Sequence, residues 1–204
     1  MGYTTDFIGN FAVKENVDDD FIEYINNFSK SRRLKRNPDI IKTIYPFWQL
    51  MCFDGKLGTE GEYFVNTVNM GQVYDDSIID YNSPASTQPG LWCQWIIKKE
   101  NGKCYLEWDG GEKFYSYVDW LNYLINNFFG PKHYHLTGCI LAIGESEADA
   151  KYIIINNNIC YVYDYENDLD ILLNKFDNKE LKEQIKNVYK DPVDIENNYW
   201  NYWE

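Results

Sequence analysis

The segment from residue 90 to residue 128 constrains the fold most, because it predicts a β-hairpin followed directly by a helix. Two runs, LWCQWIIKK and KCYLEWD, alternate along each strand and flank Glu100-Asn101-Gly102, a sequence typical of a tight hairpin turn. From Tyr117 to Phe128, apolar residues recur at helical spacing, and Ser116 with Asp119 resembles a capping box. Bulky residues on both faces of the hairpin predict a central position in a sheet.

The remaining chain supplies a first strand within residues 3–13, a helix beginning after Asp18, and a strand meander in HLTGCILAIGE, KYIIIN and ICYVYDYE. One or two helices follow within residues 168–189. This order predicts an α+β fold with a mainly antiparallel sheet and helices packed on one face. When the last two strands and the C-terminal helix are left out, the order β-α-β-β-α-β is that of the ferredoxin-like, split βαβ fold.

We predict a single α+β domain over residues 1–165 and a C-terminal helical extension with an aromatic tail over 166–204. The tail, Tyr199–Trp203, either folds back over the sheet or docks on a partner. Residues 38–90 are the least regular part of the pattern. Within them, DIIKTIYPFWQLM predicts a short helix that breaks before Pro46, EYFVNTV a short strand, and residues 80–90 a loop.

Composition restricts the classes of function. Of the 204 residues, 18% are aromatic, which favours a packed core. The net charge of −13 disfavours bulk nucleic-acid binding. The five cysteines are odd in number and lack C-x-x-C spacing, so we expect reduced core thiols and a cytoplasmic location. We expect no signal peptide, and no apolar run approaches the roughly 20 residues that span a bilayer.

The loop EWDGGEKFY joins the predicted hairpin to the predicted helix and collects charged residues. Glu107, Asp109 and Glu112 with Lys113 could hold a divalent cation and act on a phosphorylated substrate. However, Glu112 and Lys113 are adjacent and follow a Gly-Gly break, whereas metal-dependent nucleases place Glu-x-Lys on a strand. A strand-to-helix turn is the favoured interpretation, with a binding edge second. That edge would also contain Trp92, Gln94, Trp108 and Tyr115.

The run Arg32-Arg33-Leu34-Lys35-Arg36 is the only concentrated positive charge. A solvated helix end is the favoured interpretation, and reception of a phosphate or an acidic partner is the alternative. A further hypothesis pairs Arg32 or Arg33 with Asp109 or Glu112.

Metal, cofactor and nucleophile patterns are weak. His133 and His135 are two positions apart and could supply half of a metal site, but without further ligands at suitable spacing we favour ordinary polar residues. The glycines form neither a P-loop nor G-x-G-x-x-G. We therefore predict no metal, no cofactor and no catalytic residue.

Several blocks together resemble an uncharacterised family of small soluble proteins from bacterial and viral genomes. They are MGYTTDF (1–7), SRR (31–33), YFV (63–65), GQ (71–72), DYNSP (80–84), QPGLWCQW (88–95), EWDGGEKFY (107–115) and WLNYLI (120–125). The resemblance covers residues 1 to about 160, with residues 38–58 longer than the family pattern. It implies one continuous domain and no particular activity, cofactor or partner.

These observations favour a non-enzymatic recognition protein that binds another macromolecule, as an inhibitor, immunity-like or accessory factor. The partner we expect is a protein, because aromatic-rich loops suit interface hot spots. Two alternatives stay open. One is a metal-assisted hydrolase in which Asp109 and Glu112 bind the metal and Lys113 stabilises charge, and the other is a structural or virion-associated protein.

Overall fold

Six antiparallel strands form the main sheet of the computed structural model, which describes residues 3–145 and 149–190. In chain order the described strands are β1 (Thr5–Val13), β2 (Lys35–Arg36), β3 (Ile78–Asp80), β4 (Trp95–Glu100), β5 (Lys103–Trp108), β6 (Leu136–Gly144), β7 (Ala150–Asn156) and β8 (Ile159–Asp164). The main sheet has the order β4-β5-β1-β6-β7-β8, and β2 pairs with β3 separately. The predicted α+β fold with a mainly antiparallel sheet is confirmed.

Five α-helices lie in the described part of the chain: α1 (Asp19–Lys30), α2 (Pro38–Ile44), α3 (Tyr117–Leu124), α4 (Leu169–Asn174) and α5 (Lys179–Val188). Helix α3 continues as a π-helical turn over Ile125–Phe129. Three short 3-10 turns, Trp48–Met51, Phe53–Gly55 and Val68–Gly71, lie between α2 and β3.

Strand β1 occupies the centre of the split βαβ arrangement. It pairs antiparallel with both β5 and β6, and β4 pairs antiparallel with β5. Strands β1 and β4 are therefore parallel, with β5 inserted between them, as the order β-α-β-β-α-β requires. Strands β7 and β8 extend the sheet beyond β6.

Helices α1 and α3 cover one face of the sheet. The stripe Phe21, Ile25 and Phe28 of α1 is buried against the same core as Trp120 and Leu121 of α3. Each such side chain contributes about 1.5–3 kcal/mol by leaving water. This core also contains Phe11, Trp95, Leu106, Ile140 and Ile153 from five strands.

Helices α4 and α5 cover the opposite face at the β6–β7–β8 end, so the helices are not confined to the one face that the sequence predicted. Leu181 and Ile185 of α5 are buried with Leu141, Tyr152 and Ile154 of the sheet. The extension after residue 165 thus supplies a third layer, which local periodicity does not reveal because it does not say which face a helix covers.

Close packing of α5 depends on Gly9 in β1. Gly9 has φ +110°, and a Cβ there would lie 2.5 Å from the carbonyl oxygen of Cys139 and 2.9 Å from Cγ2 of Val188. A side chain at this position would therefore clash with both the neighbouring strand and the helix.

The hairpin turn is confirmed, but the predicted central position of the hairpin is wrong. Asn101 and Gly102 have φ of +50° and +78°, as a type I′ turn needs. Strand β4 nevertheless forms an edge of the sheet. Trp92, which suggested a second apolar face, precedes β4, and part of that face carries the ion pair between Lys98 and Glu107.

The predicted capping box at the start of α3 is also wrong. Ser116 has φ +53° and makes no side-chain bond to the helix amides. Capping residues normally take extended backbone angles, which Ser116 does not. The helix that follows is nevertheless present, because its buried face includes Trp120, Leu121 and Leu124.

Between Asn37 and Gly90, the predicted short helix and the loop are present and the predicted strand is not. Asn37 caps α2 by accepting a hydrogen bond from the amide of Asp39 at 2.9 Å. The segment EYFVNTV forms only an isolated bridge between Phe64 and Cys52, because its carbonyl groups at Glu62 and Phe64 bind a side chain instead of a strand.

All five cysteines are free thiols, and four of them are buried. No helix in the described ranges combines the length and apolar character that crossing a membrane requires. Cytoplasmic location stays a prediction. The predicted aromatic tail Tyr199–Trp203 and the first two residues of the MGYTTDF block lie outside the described residues.

Candidate functional site

Gln94 connects the two ends of the EWDGGEKFY loop. Its Nε2 donates to the carbonyl of Glu112 at 3.0 Å, and its Oε1 accepts from Nε1 of Trp108 at 3.3 Å. Its own carbonyl accepts from the amide of Asp109 at 3.0 Å. Gln94 makes these bonds with φ +54°, a conformation that costs a non-glycine residue about 1–2 kcal/mol. The side chain of Gln94 therefore links Trp108 and Glu112 and stabilises the loop between them.

Aromatic side chains on the core side of the loop pack against rings of the sheet. Phe114 is 2% exposed, and its ring centre lies 5.2 Å from that of Trp95 and 5.8 Å from that of Phe7. The ring of Trp108 lies 5.3 Å from that of Phe7. Phe114 and Trp108 consequently anchor the loop to the core.

The charged side chains of the loop do not converge. Oδ1 of Asp109 accepts from the amide of Gly111 at 2.8 Å, within its own turn. Glu112, Lys113 and Tyr115 are exposed. Glu107 pairs instead with Lys98 across the hairpin.

Trp92 is half-buried just before β4. Across the described residues, no three His, Cys, Asp or Glu side chains are arranged to hold a metal ion. The structure thus brings together Gln94, Trp108, Asp109 and the backbone of Glu112, and leaves Lys113 and Tyr115 as an exposed edge.

Arg32 and Arg33 of the basic run bind backbone carbonyls, so the prediction of a solvated helix end is wrong for these two residues. Nη2 of Arg32 donates to the carbonyl of Tyr81 at 3.1 Å. Nη2 of Arg33 donates to the carbonyls of Phe64 at 2.6 Å and Glu62 at 3.1 Å. These bonds hold the irregular segment against α1. The hypothesis that Arg32 or Arg33 pairs with Asp109 or Glu112 is also wrong.

Arg33 lies in a buried polar cluster between α1, α3 and the QPGLWCQW block. Its amide donates to the carbonyl of Leu91 at 2.9 Å, and Gln88 shares the Glu62 carbonyl through Nε2 at 2.8 Å. Burial lowers the pKa of Arg33 and raises the pKa of the Cys93 thiol to about 12. Cys93 is therefore protonated at neutral pH and does not act as a thiolate nucleophile.

Arg36, the last residue of the run, forms a buried ion pair. Its Nη1 lies 2.6 Å from Oδ2 of Asp75 and donates to the hydroxyl of Ser77 at 2.7 Å. The hydroxyl of Tyr45 donates to the same Asp75 oxygen at 2.9 Å. This network joins β2, α2 and the segment before β3. Arg36 is thus structural.

His135 pairs with an acidic residue rather than with a metal-binding partner. Its Nδ1 lies 2.7 Å from Oε1 of Glu15, and its amide donates to Oε2 of the same carboxylate at 2.7 Å. Burial raises the pKa of Glu15, but the bonds from His135 outweigh it and the net pKa is lowered.

A cleft of about 920 Å³ lies between the first half of α1 and the turns after α2. Its volume is typical of ligand sites. Buried Phe21, Phe53 and Val65 line it together with Met51, and Leu50 stands at its margin with 86% of its surface exposed. The cleft thus has an apolar lining and an exposed apolar margin.

Carboxylates dominate the polar lining of this cleft. Five of them, Asp18, Asp19, Asp20, Glu23 and Asp54, face one cation, Lys132. The backbone explains the position of Asp54, because Asp54 and Gly55 have φ of +50° and +67° and form a tight turn. Lys132 pairs with Asp54 at 2.7 Å.

No family model, curated protein or solved structure matches this chain. The resemblance carried by the QPGLWCQW and EWDGGEKFY blocks stays a prediction.

The cleft was missed at the sequence level. Asp18 directly precedes α1, and Asp19 and Asp20 lie in its first turn, where acidic residues suit the helix dipole without any ligand. Leu50 belongs to the apolar run IYPFWQLM, in which the predicted short helix breaks before Pro46 and leaves Leu50 without an assigned element. A usable signal was present, since an apolar run interrupted by Pro46 cannot bury every side chain in one helix face.

Proposed function

We propose that this protein is a recognition protein that binds another protein through exposed apolar side chains of residues 44–79, which we name the 44–79 surface. One observation carries this proposal. Of the twelve large hydrophobic side chains that are exposed among the described residues, eight belong to this segment: Ile44, Phe47, Leu50, Val68, Met70, Val73, Tyr74 and Ile79.

Burial of these side chains against a partner would be favourable. Phe47 and Leu50 are 71% and 86% exposed, and full burial of one such side chain contributes about 1.5–3 kcal/mol. Protein interfaces concentrate binding energy in a few such anchors. The segment is also held in place by buried polar contacts, including the bonds from Arg33, so a partner would meet a largely ordered surface.

The metal-assisted hydrolase is less well supported. Asp109 bonds within its own turn and Glu112 is exposed, so these two carboxylates do not form the site that the alternative needs. No observation in the described residues favours the structural or virion-associated alternative over recognition.

The experiment is comparative affinity purification from the native host. The wild-type chain is compared with Phe47→Glu/Leu50→Glu, and the recovered proteins are quantified by mass spectrometry. We expect a protein that the wild type retains and the double variant loses. Both positions are exposed, so charge there leaves the free energy of unfolding nearly unchanged, within about 0.5 kcal/mol each.

A matched control is Ile159→Glu/Ile171→Glu, which charges two side chains that are 57% and 52% exposed on β8 and α4. This control should retain the partner. Loss of the partner from both variants would contradict the proposal, as would recovery of the wild-type chain alone and monomeric.

A further inference from the structure

We propose that the cleft between α1 and residues 49–55 binds a cationic, amphipathic segment of the protein partner. This inference rests on the proposed function and adds the chemistry of the ligand. Leu50 belongs to both the 44–79 surface and the cleft, which connects the two.

The apolar half of the ligand follows from the lining of the cleft. Phe21 and Phe53 are 5% and 8% exposed, and their ring centres are 6.2 Å apart in an edge-to-face arrangement. Leu50, almost fully exposed, stands beside them. A partner segment that places aliphatic or aromatic side chains here would cover Leu50 and complete the contacts of the lining.

The cationic half of the ligand follows from charge complementarity. The helix dipole of α1 offsets only about half of one charge at its N-terminus, whereas four carboxylates lie in its first turns. Asp20 and Glu23 are exposed and form no ion pair with any described residue. Lysine or arginine side chains of a partner would be attracted to these two positions.

The existing ion pairs at the margin are readily exchanged. Lys99 and Asp19 lie 2.8 Å apart with side chains 50% and 86% exposed, whereas the side chains of Lys132 and Asp54 are 36% and 45% exposed. Exposed pairs of this type contribute little to stability. A partner's cations can replace Lys99 and Lys132 at these carboxylates, so the protein's own lysines do not block the site.

The test uses the full chain and two labelled peptides of equal length and apolar pattern. One contains leucine and lysine, and in the other every lysine is replaced by glutamate. Fluorescence anisotropy should show saturable binding of the lysine peptide to the wild-type chain. At low salt, we expect the chain to bind the lysine peptide at least about tenfold more tightly than the glutamate peptide. This difference in affinity should decrease as added salt screens the charges.

Two variants localise the binding. Asp20→Asn/Glu23→Gln should lower the affinity for the lysine peptide by about three- to tenfold, since each exposed charge contributes modestly to binding. Leu50→Ser should weaken binding further, because it removes apolar contact without adding a charge that attracts lysine. The matched control is Asp170→Asn/Glu180→Gln, which removes two exposed charges from the first turns of α4 and α5 and should bind as the wild type does.

Four results would overturn the inference: no binding of the lysine peptide, equal binding of the glutamate peptide, equal weakening in the control, or no effect of Leu50→Ser. The affinity purification separates this failure from failure of the proposed function. If the partner is lost from Phe47→Glu/Leu50→Glu but retained by Asp20→Asn/Glu23→Gln, recognition stands and the cationic ligand is wrong.

Discussion

The guanidinium of Arg33 lies over the ring of Phe28, with its central carbon 4.1 Å from the ring centre. The side chain is 2% exposed and has no carboxylate within ion-pair distance in the described part of the chain. Two backbone carbonyls and an aromatic face stabilise this charge instead. The end of α1 is thereby fixed to the irregular segment that carries the 44–79 surface.

Replacing Arg33 should separate the role of its shape from the role of its charge. Arg33→Met leaves the carbonyl of Phe64 without its donor, and we expect the free energy of unfolding to fall by about 2 kcal/mol. Arg33→Lys should lower it more, because an ammonium cannot bond both carbonyls and still stack on Phe28. Urea unfolding measures both, and a lysine variant as stable as the wild type would contradict the expectation.

The ion pair of Arg36 and Asp75 should be sensitive to loss of one charge. Asp75→Asn leaves the buried guanidinium of Arg36 unpaired, which typically costs about 3 kcal/mol or more. The neighbouring Asp76→Asn is the control, since Asp76 is exposed and has no ion pair among the described residues. Its effect should stay below about 0.5 kcal/mol. If thermal unfolding shows that Asp75→Asn and Asp76→Asn lower the stability equally, the network of Arg36 and Asp75 is not important for stability.

Acid should destabilise the fold in a defined window of pH. Hydrogen bonds from Lys35 and from Ser86 lower the pKa of Glu60 from its ordinary 4.5 to about 2. Burial raises the pKa of Asp75, but bonds from Ser77 and Arg36 outweigh it and the net pKa is lowered. These carboxylates bind protons more weakly when folded, so their stabilisation is complete above their ordinary pKa and is lost as pH falls toward 2.

The measurement is the free energy of unfolding as a function of pH in wild type and Glu60→Gln. The variant should show a shallower decrease between pH 4.5 and about 2, the window set by Glu60. An identical slope in the two proteins would contradict the assignment of this acid sensitivity to Glu60.

The backbone of Lys113 predicts a stabilising substitution in the EWDGGEKFY loop. Lys113 is exposed and has φ +61°. Lys113→Gly should relieve this strain and raise the free energy of unfolding by about 1 kcal/mol. Lys113→Ala removes the charge but keeps the strain, so its stability should stay near that of the wild type. If this loop is a binding edge, both variants should lose partner in affinity purification, which the stability change alone does not explain.

Local patterns predicted those parts of the fold that depend on neighbours in sequence. The Asn101-Gly102 turn, the helix after Ser116 and the strand meander are each formed by residues that are close in sequence. The edge position of β4 and the placement of α4 and α5 on the second face were not predictable in this way. They depend on which strands pair, and residue periodicity is the same for a central and an edge strand.

In the candidate site, too, contacts between sequence neighbours were predictable and contacts between distant residues were not. The interpretation of EWDGGEKFY as a strand-to-helix turn agrees with the bonds of Gln94 and Asp109. The environment of Arg33 could not be predicted, because its partners are backbone carbonyls of Glu62 and Phe64, about 30 residues away, and a carbonyl has no signature in the sequence. The cleft combines α1 with residues 49–55 for similar reasons.

The third layer formed by α4 and α5 has a consequence for biosynthesis. The ribosome completes β6 and β7 before it makes residues 169–188, so Leu141, Tyr152 and Ile154 emerge without the helices that later bury them. A nascent chain paused after β8 would display an uncovered apolar sheet face. Packing of α5 onto that face, or cover of the face by a chaperone, would therefore limit aggregation of the newly made protein.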